Sequence, residues 1–447
     1  MVPDMNLLTI SFPKGKNKTE KLAEAIVSDI NSNKLKKGDR LPSKRVLAYH
    51  LGISINTVIN AYDLLLSEGY IYTIEKKGYY VSDNALIKKK IEPKFEASDS
   101  SVKNYKYCFK TSNIDSSLIP ANTIKKIYNE VLKEDNYLYK TDFSGEKNLK
   151  DAICQYLYEV KGIVANPSNI VISSGIDNLL PQIINLIDAS TIAIENPGYK
   201  KIEKIISYTK KNIVYQSVDN EGIILPKKKV DLIYTTPYSQ FPLGIKMSNR
   251  RKNEIIEYAK KTGAYIIEDS FDSDFTLKPF ITSSLYSMSG NIFYIESFSR
   301  SIAPSFRISF MLLPPNLRET YFKIHNGFSN PVSTIDQLVL AKYIKTAFFN
   351  HINRLRTSLR KKRELILESI DLSLFDIIND ESYLAIIVKP KKDIPDIRKI
   401  LIDNSIDISF IEDFMYNKKS KLLMIGYSEI PYNKIKDGIN LLNSLYK

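Results

Sequence analysis

The sequence predicts an α/β protein in two parts, a small N-terminal module and a much larger region built on a mostly parallel sheet. Residues 1–83 contain three short helical patterns followed by two strand-like runs that enclose a turn. From residue 107 onward, short β-branched runs alternate with helical stretches. Residues 84–106 keep no sustained period, so we predict a linker there. We divide the region 107–447 at about residue 345 into a large subdomain and a small α+β subdomain, 346–447.

Composition and charge narrow the classes of function. No run of about 18 apolar residues occurs, so no membrane span is expected, and the first residues lack the basic and apolar regions of a signal peptide. The two cysteines, Cys108 and Cys154, have no metal or redox spacing, which is typical of a cytoplasmic protein. A net charge of +14 permits an anionic partner such as nucleic acid. Residues 1–83 carry 12 basic and 9 acidic side chains, so charge alone does not indicate where DNA binds.

The N-terminal module has the pattern of a helix-turn-helix with a wing. Helices are predicted at 19–33, 44–51 and 55–68, with a turn over 34–42. Ser43 and Ser54 stand where N-caps are expected, and Gly52 and Gly69 close the second and third helices. In a helix-turn-helix the second of the paired helices reads the major groove from its N-terminal residues. Two runs at 70–74 and 79–81 predict the hairpin of the wing.

The module resembles the winged helix of GntR-type bacterial regulators. Four blocks carry the resemblance: Leu41-Pro-Ser-Lys-Arg-Val-Leu-Ala48, Leu51-Gly-Ile-Ser-Ile-Asn-Thr-Val58, Ala61-Tyr62 and Glu68-Gly-Tyr70. By this resemblance four residues contact phosphates or base edges: Arg45, Ser54, Asn56 and Thr57. It also implies that Gly78 lets the wing tip approach the minor groove. On charge grounds Lys44 and Lys77 are further phosphate contacts. Each polar side chain is also explained as a helix cap or a solvated group, and Ser54 is a cap in either case.

Polar residues follow the predicted strands of the large region. The blocks concerned are Ser173-Ser-Gly175, Glu195-Asn-Pro-Gly-Tyr199, Thr235-Thr-Pro237 and Glu268-Asp269. A further stretch, 295–309, lies between two strand-like runs and is rich in hydroxyl and guanidinium groups: Ser297, Ser299, Ser301, Ser305, Arg300 and Arg307. Ligands of parallel sheets bind beyond the carboxyl ends of strands, so one shared site is expected. Hydroxyls, loop amides and a fixed cation suit a phosphate group.

Most of residues 107–447 resembles fold-type I aminotransferases, which bind pyridoxal phosphate, and the best match is the MocR-like subgroup of GntR regulators. The resemblance rests on the polar blocks above together with Phe143-Ser-Gly-Glu-Lys-Asn-Leu-Lys150, Thr236-Pro-Tyr-Ser-Gln-Phe-Pro-Leu-Gly244 and Glu268-Asp-Ser-Phe-Asp-Ser-Asp-Phe275. It implies that Asp269 pairs with the pyridinium nitrogen and that Tyr199 stacks on the ring. It also implies a phosphate site made of these groups: the amides after Ser174 and Gly175, and the side chains of Ser297, Ser299 and Arg307.

The chain departs from that family at four positions. Arg300 stands where the family has the lysine that carries the cofactor as a Schiff base, and a guanidinium offers no free amine. Phe271 replaces a tyrosine, Glu296 replaces a glycine, and Met424 stands where an arginine often receives a substrate carboxylate. We expect Arg300 to form an ion pair with Glu296, or with Asp269 in an empty pocket. Asp269 alone is equally explained as a strand-end carboxylate held by loop amides.

Two further groups of basic residues each have more than one explanation. The run Lys88-Lys-Lys90 is explained by a solvated linker or by a phosphate contact. Residues 333–370 are largely helical and carry a basic stripe: Arg354, Arg356, Arg360, Lys361, Lys362 and Arg363. Nucleic acid or an inter-subunit or solvated face explains the stripe, and the family, which has a similar basic helix, favours the latter. No phosphate-binding Gly-Lys-Ser/Thr loop, zinc-ligand cluster or serine-nucleophile motif occurs, so no metal is expected.

We interpret the chain as a cytoplasmic, sequence-specific DNA-binding transcriptional regulator whose degenerate aminotransferase-like domain dimerises and senses a small ligand. Its expected partners are double-stranded DNA, a second copy in a head-to-tail homodimer, and a small-molecule effector, with no membrane. Pyridoxal phosphate is expected to bind non-covalently at best. A sensor needs differential affinity for two states and no turnover, so losing the lysine harms it less than an enzyme. The alternatives are a pyridoxal-phosphate-dependent aminotransferase-like enzyme with an appended DNA-binding domain, and a dimerisation domain without a ligand.

Overall fold

The computed structural model describes residues 18–83, 105–270, 272–275, 283–380, 382, 384–417 and 419–447. Contacts divide the chain into two compact units, Met1–Ser101 and Val102–Lys447, and each is described by itself. Most of the predicted linker, including Lys88-Lys-Lys90, lies outside the described residues, as does Phe271.

The N-terminal unit packs three helices and a hairpin around one apolar core. Its elements are α1 (Lys18–Asn31), α2 (Lys44–Leu51), α3 (Ile55–Ser67), β1 (Ile71–Ile74) and β2 (Gly78–Val81). The Ser43 hydroxyl accepts from the Val46 amide and the Ser54 hydroxyl from the Thr57 amide, so both predicted N-caps form. The core is made of side chains with at most 4 % of their surface exposed, among them Leu22, Ile26, Val58, Tyr62 and Leu65. Burial of this stripe fixes which face of α3 points outward.

The wing contains a third strand segment that the sequence did not indicate. The stretch 34–42 was predicted as a turn, but Arg40 forms an antiparallel bridge with Tyr80 of β2. The Leu41 amide donates to the Tyr79 carbonyl at 2.8 Å, and the Gly38 amide donates to the Val81 carbonyl at 2.9 Å. The segment before α2 is therefore held by the wing rather than being a free turn.

The larger unit contains two sheets and ten α-helices among its described residues. Its strands are β3 (Tyr107–Phe109), β4 (Ile170–Ser173), β5 (Thr191–Asn196), β6 (Asn212–Asp219), β7 (Gly222–Ile223), β8 (Leu232–Thr235), β9 (Tyr265–Asp269), β10 (Ile292–Ser297), β11 (Ser309–Leu312), β12 (Phe375–Asn379), β13 (Ala385–Pro390), β14 (Ile406–Phe410) and β15 (Leu423–Gly426). Its helices are α4 (Ala121–Val131), α5 (Lys147–Tyr156), α6 (Ile176–Leu186), α7 (Lys200–Tyr208), α8 (Asn249–Thr262), α9 (Arg318–His325), α10 (Thr334–Thr346), α11 (Phe348–Ser369), α12 (Ile397–Asp403) and α13 (Tyr432–Tyr446). A π-helical turn, Leu157–Lys161, extends α5.

The eight-stranded sheet has the order β4-β11-β10-β9-β8-β5-β6-β7. Strands β10, β9, β8, β5 and β6 are parallel neighbours, whereas β11 runs antiparallel to β10 and to β4. Strands β4 and β8 are buried along their whole length, as expected of a sheet covered on both faces. The predicted mostly parallel sheet is confirmed.

The five-stranded sheet has the order β12-β13-β15-β14-β3. Four of its strands come from the C-terminal part of the chain. The fifth, β3, is the first strand of this unit, and it pairs in parallel with β14 through Tyr107 opposite Ile406 and Phe109 opposite Ile408. The chain therefore enters this unit through the C-terminal sheet before it builds the larger one.

Several cations of the basic stripe on α11 hold the fold together. Lys362 is buried and donates to Asp115 at 2.9 Å and to the Ile430 carbonyl at 2.7 Å. Arg356 donates through Nε to the Asp274 carbonyl at 2.7 Å. Arg354, Arg360 and Lys361 are exposed. Among the described residues, no helix is long and apolar enough to cross a bilayer, and no cluster of side chains is arranged to hold a metal ion.

Candidate DNA-binding surface and ligand pocket

The predicted DNA-binding side chains lie at the starts of α2 and α3 and at the tip of the wing. Arg45, Asn56 and Lys77 are exposed. The Ser54 hydroxyl accepts from the Thr57 amide at 3.1 Å and lies 2.8 Å from the Thr57 hydroxyl, so these two side chains order the first turn of α3. The structure thus presents basic and amide side chains to solvent beside a well-capped helix start, which is the arrangement a recognition helix requires.

Lys44 and Gly78 have structural roles that the sequence did not show. The Lys44 ammonium lies 5.0 Å from the centroid of the Tyr79 ring, a cation–π contact that ties α2 to the wing. Gly78 has φ +116°, which side-chain-bearing residues rarely adopt, so the hairpin itself requires glycine there.

A cavity of about 270 Å³ lies where the parallel strands β9 and β10 end. Seven of the eight predicted cofactor-binding residues line it: Gly175, Tyr199, Asp269, Ser297, Ser299, Arg300 and Arg307. The eighth, Ser174, precedes Gly175 and is not part of the wall. The carboxyl ends of the strands therefore bring these residues together, as expected from their positions after strands.

One end of the cavity is suited to an anion. Gly175 is the N-cap of α6, so the unpaired amides of the first helical turn lie there. A Cβ atom on Gly175 would lie 3.0 Å from the Arg307 guanidinium, which approaches the backbone closely. Asp177 pairs with Arg307 at 3.3 Å and with Lys201 at 2.6 Å, so one carboxylate holds two cations beside this end. If Asp177 lost its contacts with Arg307 and Lys201, both cations would be available to a bound anion.

The two serines of the predicted phosphate site are ordered by their own loop. The Ser299 amide donates to the Ser297 hydroxyl at 3.3 Å, and the Ser299 hydroxyl donates to the Phe306 carbonyl at 2.7 Å. The bond from Ser299 to Phe306 joins the two ends of the loop between β10 and β11 and so fixes the position of the Ser299 hydroxyl.

Asp269, the last residue of β9, lies buried in the cavity wall. Its carboxylate accepts a hydrogen bond from the Tyr234 hydroxyl. Burial raises the pKa of Asp269 to about 7, although the Tyr234 hydrogen bond opposes the rise. A carboxyl group with a pKa near neutrality is suited to share a proton with a basic ring nitrogen.

Arg300 pairs with Asp272, so the expected pairing with Glu296 or Asp269 is wrong. One guanidinium nitrogen donates to both carboxylate oxygens of Asp272, at 2.5 and 2.6 Å. The two side chains are only 18 % and 10 % exposed. Asp272 has φ +59°, a left-handed conformation that aspartate tolerates better than most residues. Burial raises the pKa of Asp272, and the Arg300 guanidinium beside it opposes that rise.

Glu296 is unavailable to Arg300 because it belongs to a buried polar cluster. Its carboxylate accepts hydrogen bonds from the hydroxyls of Tyr156 and Tyr294, each at 2.5 Å. The Lys161 ammonium lies 3.6 Å from Glu296 and donates to Asp274 at 2.9 Å. Burial raises the pKa of Glu296, and Lys161 opposes that rise. The Glu296 carboxylate is therefore held by the two tyrosine hydroxyls and lies beside the Lys161 ammonium.

Two further residues that the resemblance singled out, Met424 and Tyr199, contact apolar or aromatic side chains. Met424 is 2 % exposed on β15 and packs in an apolar cluster with Ala385, Ile387 and Ile411, so this position has no carboxylate-binding cation. Tyr199 packs edge-on against Phe241, with ring centroids 5.8 Å apart.

Sequence reasoning missed the residues that hold the charges of the cavity. Asp272 and Asp274 stood in the block 268–275 on which the family resemblance rests, and its local density of carboxylates was a usable signal. Lys161 gave none, because a lysine in the last turn of a helix is ordinarily solvated. Tyr234 and Tyr294 lie in apolar strand runs, where a tyrosine indicates core packing rather than a hydrogen-bond donor.

Comparison with known families covers both parts of the chain. Residues 18–81 match the model described as bacterial regulatory proteins, gntR family, and residues 108–411 match aminotransferase class I and II. These matches define a bacterial regulator that carries an aminotransferase-like domain. The chain belongs to the family that joins a GntR module to an aminotransferase class I and II domain.

Individual relatives agree with this assignment. The uncharacterized HTH-type transcriptional regulator YdeL of Bacillus subtilis is 30% identical over 94% of this chain and 94% of its own. The probable rhizopine catabolism regulatory protein MocR of Rhizobium meliloti is 24% identical over 95% of this chain and 93% of its own. The crystal structure of an archaeal alanine:glyoxylate aminotransferase matches with a TM-score of 0.68 at 22% identity, covering 77% of this chain and 91% of that one. This last likeness establishes the fold alone, and the predicted fold class is confirmed.

Proposed function

We propose that the protein is a sequence-specific transcriptional regulator that binds DNA through its winged helix and senses a small ligand in the cavity of its aminotransferase-like domain, without turnover. The observation that carries the proposal is the side chain at position 300. Near the start of the loop after β10, where the resemblance places the family's cofactor-binding lysine, a guanidinium is held by both oxygens of Asp272. A guanidinium in such a pair neither forms a covalent link to a carbonyl nor carries protons to and from a substrate.

The cavity residues fit pyridoxal phosphate as a non-covalent ligand. The start of α6, with Ser297, Ser299 and Arg307, would hold the phosphate, and a Cβ at Gly175 would crowd Arg307 in this cradle. Asp269 would hold the ring nitrogen through a shared proton, and Tyr199 would lie beside the ring. When bound to an enzyme, this cofactor supplies an electron sink for reactions of amino acids. Here the residues would bind and orient the ligand, and the Arg300–Asp272 pair would occupy the position of the missing amine.

Of the lysines that the structure describes near the cavity, neither Lys161 nor Lys201 replaces the missing one. Burial alone lowers the pKa of Lys161, but Asp274 and Glu296 outweigh burial and raise it, so the ammonium stays protonated. Lys201 is held by Asp177 at 2.6 Å at the anion end of the cavity. A protonated, ion-paired amine is a poor nucleophile. These contacts support a sensor over the aminotransferase-like enzyme, although the solved structures that share the fold are enzymes.

The DNA-binding residues and the assembly are part of the same proposal. Arg45, Asn56 and Thr57 would contact the DNA from the starts of α2 and α3, with Lys77 and Gly78 contacting it from the wing. Ser54 would contribute mainly by capping α3. The family resemblance implies a head-to-tail homodimer, in which two winged helices would bind two half-sites. Because its target is the bacterial chromosome, we place the protein in the cytoplasm.

The experiment that tests the proposal is a spectroscopic titration of the full chain with pyridoxal phosphate, followed by borohydride reduction and mass analysis. We expect saturable binding that borohydride does not make permanent. Arg307→Ala should weaken binding at least tenfold, because it removes the guanidinium from the phosphate end. Arg250→Ala is the matched control, since Arg250 is an ion-paired, 66 % exposed arginine of α8 that is not part of the cavity wall.

Two outcomes would replace the proposal with another candidate function, and two variants test the role of the Arg300–Asp272 pair. A reducible adduct on a cavity lysine of the wild-type protein would restore the enzyme hypothesis. No binding of pyridoxal phosphate, together with no saturable binding of any related phosphate, would leave a dimerisation domain. Arg300→Lys should still give no adduct at neutral pH, because Asp272 would keep the new ammonium protonated. The double variant Arg300→Lys with Asp272→Asn should give one, and its failure to do so would show that more than the lysine has been lost.

A further inference from the structure

Arg40 is a basic side chain that the winged-helix pattern leaves without a role. It precedes α2 in the stretch predicted as a turn, yet its backbone bridges Tyr80 in the middle of β2. The neighbouring amides of Leu41 and Gly38 bond to the wing on either side of it, at 2.8 and 2.9 Å. Arg40 therefore projects from a paired strand rather than from a loop, so its direction is determined by the sheet.

The guanidinium of Arg40 lies along the tip of the wing. Its Nε and Nη2 atoms are 3.5 and 3.7 Å from the position that a Cβ atom on Gly78 would occupy. Gly78 is the first residue of β2 and follows the exposed tip residues Lys76 and Lys77. Arg40 is itself exposed and forms no ion pair with a carboxylate among the described residues. Glu75 is the acidic side chain of the tip, and the three basic side chains outnumber it.

Two neighbouring charged side chains, Asp39 and Lys44, already have partners within the module. The Asp39 carboxylate accepts the Lys36 amide at 2.7 Å, and the Lys44 ammonium lies over the Tyr79 ring. Lys44 is thus tied to an aromatic face, whereas Arg40 is exposed and has no carboxylate partner among the described residues. A guanidinium presents several N–H groups in a planar fork that matches the oxygens of a phosphate.

We propose that Arg40 is a DNA-backbone contact of the wing, and that its guanidinium binds a phosphate beside the wing tip while α3 reads the bases. This inference rests on the proposed DNA-binding function and adds a residue to it. The contact anchors the wing to the sugar–phosphate backbone and carries no base preference of its own.

The test uses the full-length protein and a randomised duplex library. The wild-type protein is first used to enrich its preferred sequence, and the affinity for that duplex is then measured over a series of NaCl concentrations. We expect Arg40→Ala to weaken binding about tenfold, to lower the slope of log affinity against log salt by about one, and to enrich the same sequence as the wild type. Arg40→Lys should restore the salt slope and part of the affinity, because it keeps the charge and loses the fork.

Lys34→Ala is the matched control, since Lys34 is a 72 % exposed lysine of the same module that pairs with Asp29 at 3.3 Å. It removes one charge from the module without removing a wing contact, so its salt slope should equal that of the wild type. A wild-type slope for Arg40→Ala would overturn the inference, and so would a changed sequence preference, which would indicate a base contact. If the wild-type protein enriches no sequence and Arg45→Ala binds the library equally well, the DNA-binding proposal itself fails.

Discussion

The two units of the protein use their charged side chains in opposite ways. In the winged helix, Arg45 and Lys77 are exposed and have no carboxylate partner among the described residues. In the cavity of the larger unit, Arg300 and Lys161 are largely buried and paired with Asp272 and Asp274. The first surface is complementary to an external polyanion, whereas the charges of the cavity are matched to one another. The charged side chains in and beside the cavity thus compensate one another through internal ion pairs.

The internal pairing has an energetic consequence. A buried ion pair adds little net stability compared with apolar residues of the same size, but removing one partner leaves a buried charge alone. The cavity should therefore be sensitive to single substitutions and tolerant of paired ones. Single substitutions on the exposed surface of the winged helix should instead lower DNA affinity while leaving the free energy of unfolding almost unchanged.

The largest effect is expected for Asp272→Asn. It leaves the Arg300 charge without its partner at low exposure and should lower the free energy of unfolding of the larger unit by about 3–5 kcal/mol. Asparagine keeps the left-handed backbone conformation at this position, so the loss reports on the charge. Thermal unfolding of the single variants Asp272→Asn and Arg300→Met and of the double variant completes a cycle. The double variant should recover most of the loss, and strictly additive losses would show that the pair is not coupled.

The next effect concerns pH. Burial raises the pKa of Asp269 from 3.8 to about 7, so the folded protein binds a proton that the unfolded chain has released. The stability of the wild type should therefore fall as pH rises from about 4 to 7. Asp269→Asn has no such dependence and should exceed the wild type at pH 8 by about 3 kcal/mol, from about 1.4 per pKa unit minus about 1 for the Tyr234 hydrogen bond.

Thermal unfolding at pH 5 and pH 8 measures this difference. The exposed aspartate Asp403 provides the control variant Asp403→Asn, whose effect should be the same at both values. A stability difference between Asp269→Asn and the wild type that does not change with pH would mean that Asp269 is ionised throughout.

A smaller effect is expected on the exposed surface. Arg45→Ala should weaken binding to the enriched duplex by roughly 10–100-fold, equivalent to about 1–3 kcal/mol, and leave thermal unfolding unchanged. Lys18→Ala, at the exposed start of α1, is the control. A variant that unfolds earlier and binds normally would place Arg45 in the structure of α2 rather than in the DNA contact.

The smallest effect separates the two roles of Ser54. Ser54→Ala removes the cap of α3 and should lower the stability of the N-terminal unit by about 1 kcal/mol. Ser54→Asp keeps a capping oxygen and should restore stability, but its charge should repel the DNA backbone and reduce affinity. Unfolding and DNA titration of both variants distinguish the roles, and equal DNA affinity for Ser54→Asp and the wild type would show that this helix start does not approach a phosphate.

Pattern and position predicted most of the architecture. The helix over 44–51 was predicted with the bounds that the structure shows, because Ser43 and Gly52 mark its two ends locally. Seven of eight expected cavity residues line one cavity, because parallel strands bring their carboxyl ends to one edge. The partner of Arg300 was not predictable in this way. Which carboxylate lies within reach depends on the left-handed turn at Asp272 and on the tyrosines that engage Glu296, and both are tertiary features.

The position of β3 has a mechanical consequence. This edge strand begins at Tyr107, shortly after the segment that leads from the DNA-binding module, and it is paired to β14 and packed against Gly438 of α13. The strand that follows the connecting segment is thus part of the five-stranded sheet. Asp269 and the loop of Arg300 belong to the eight-stranded sheet. If a bound ligand rotated the five-stranded sheet, β3 would move with it, and so would the end of the connecting segment that leads to the DNA-binding module.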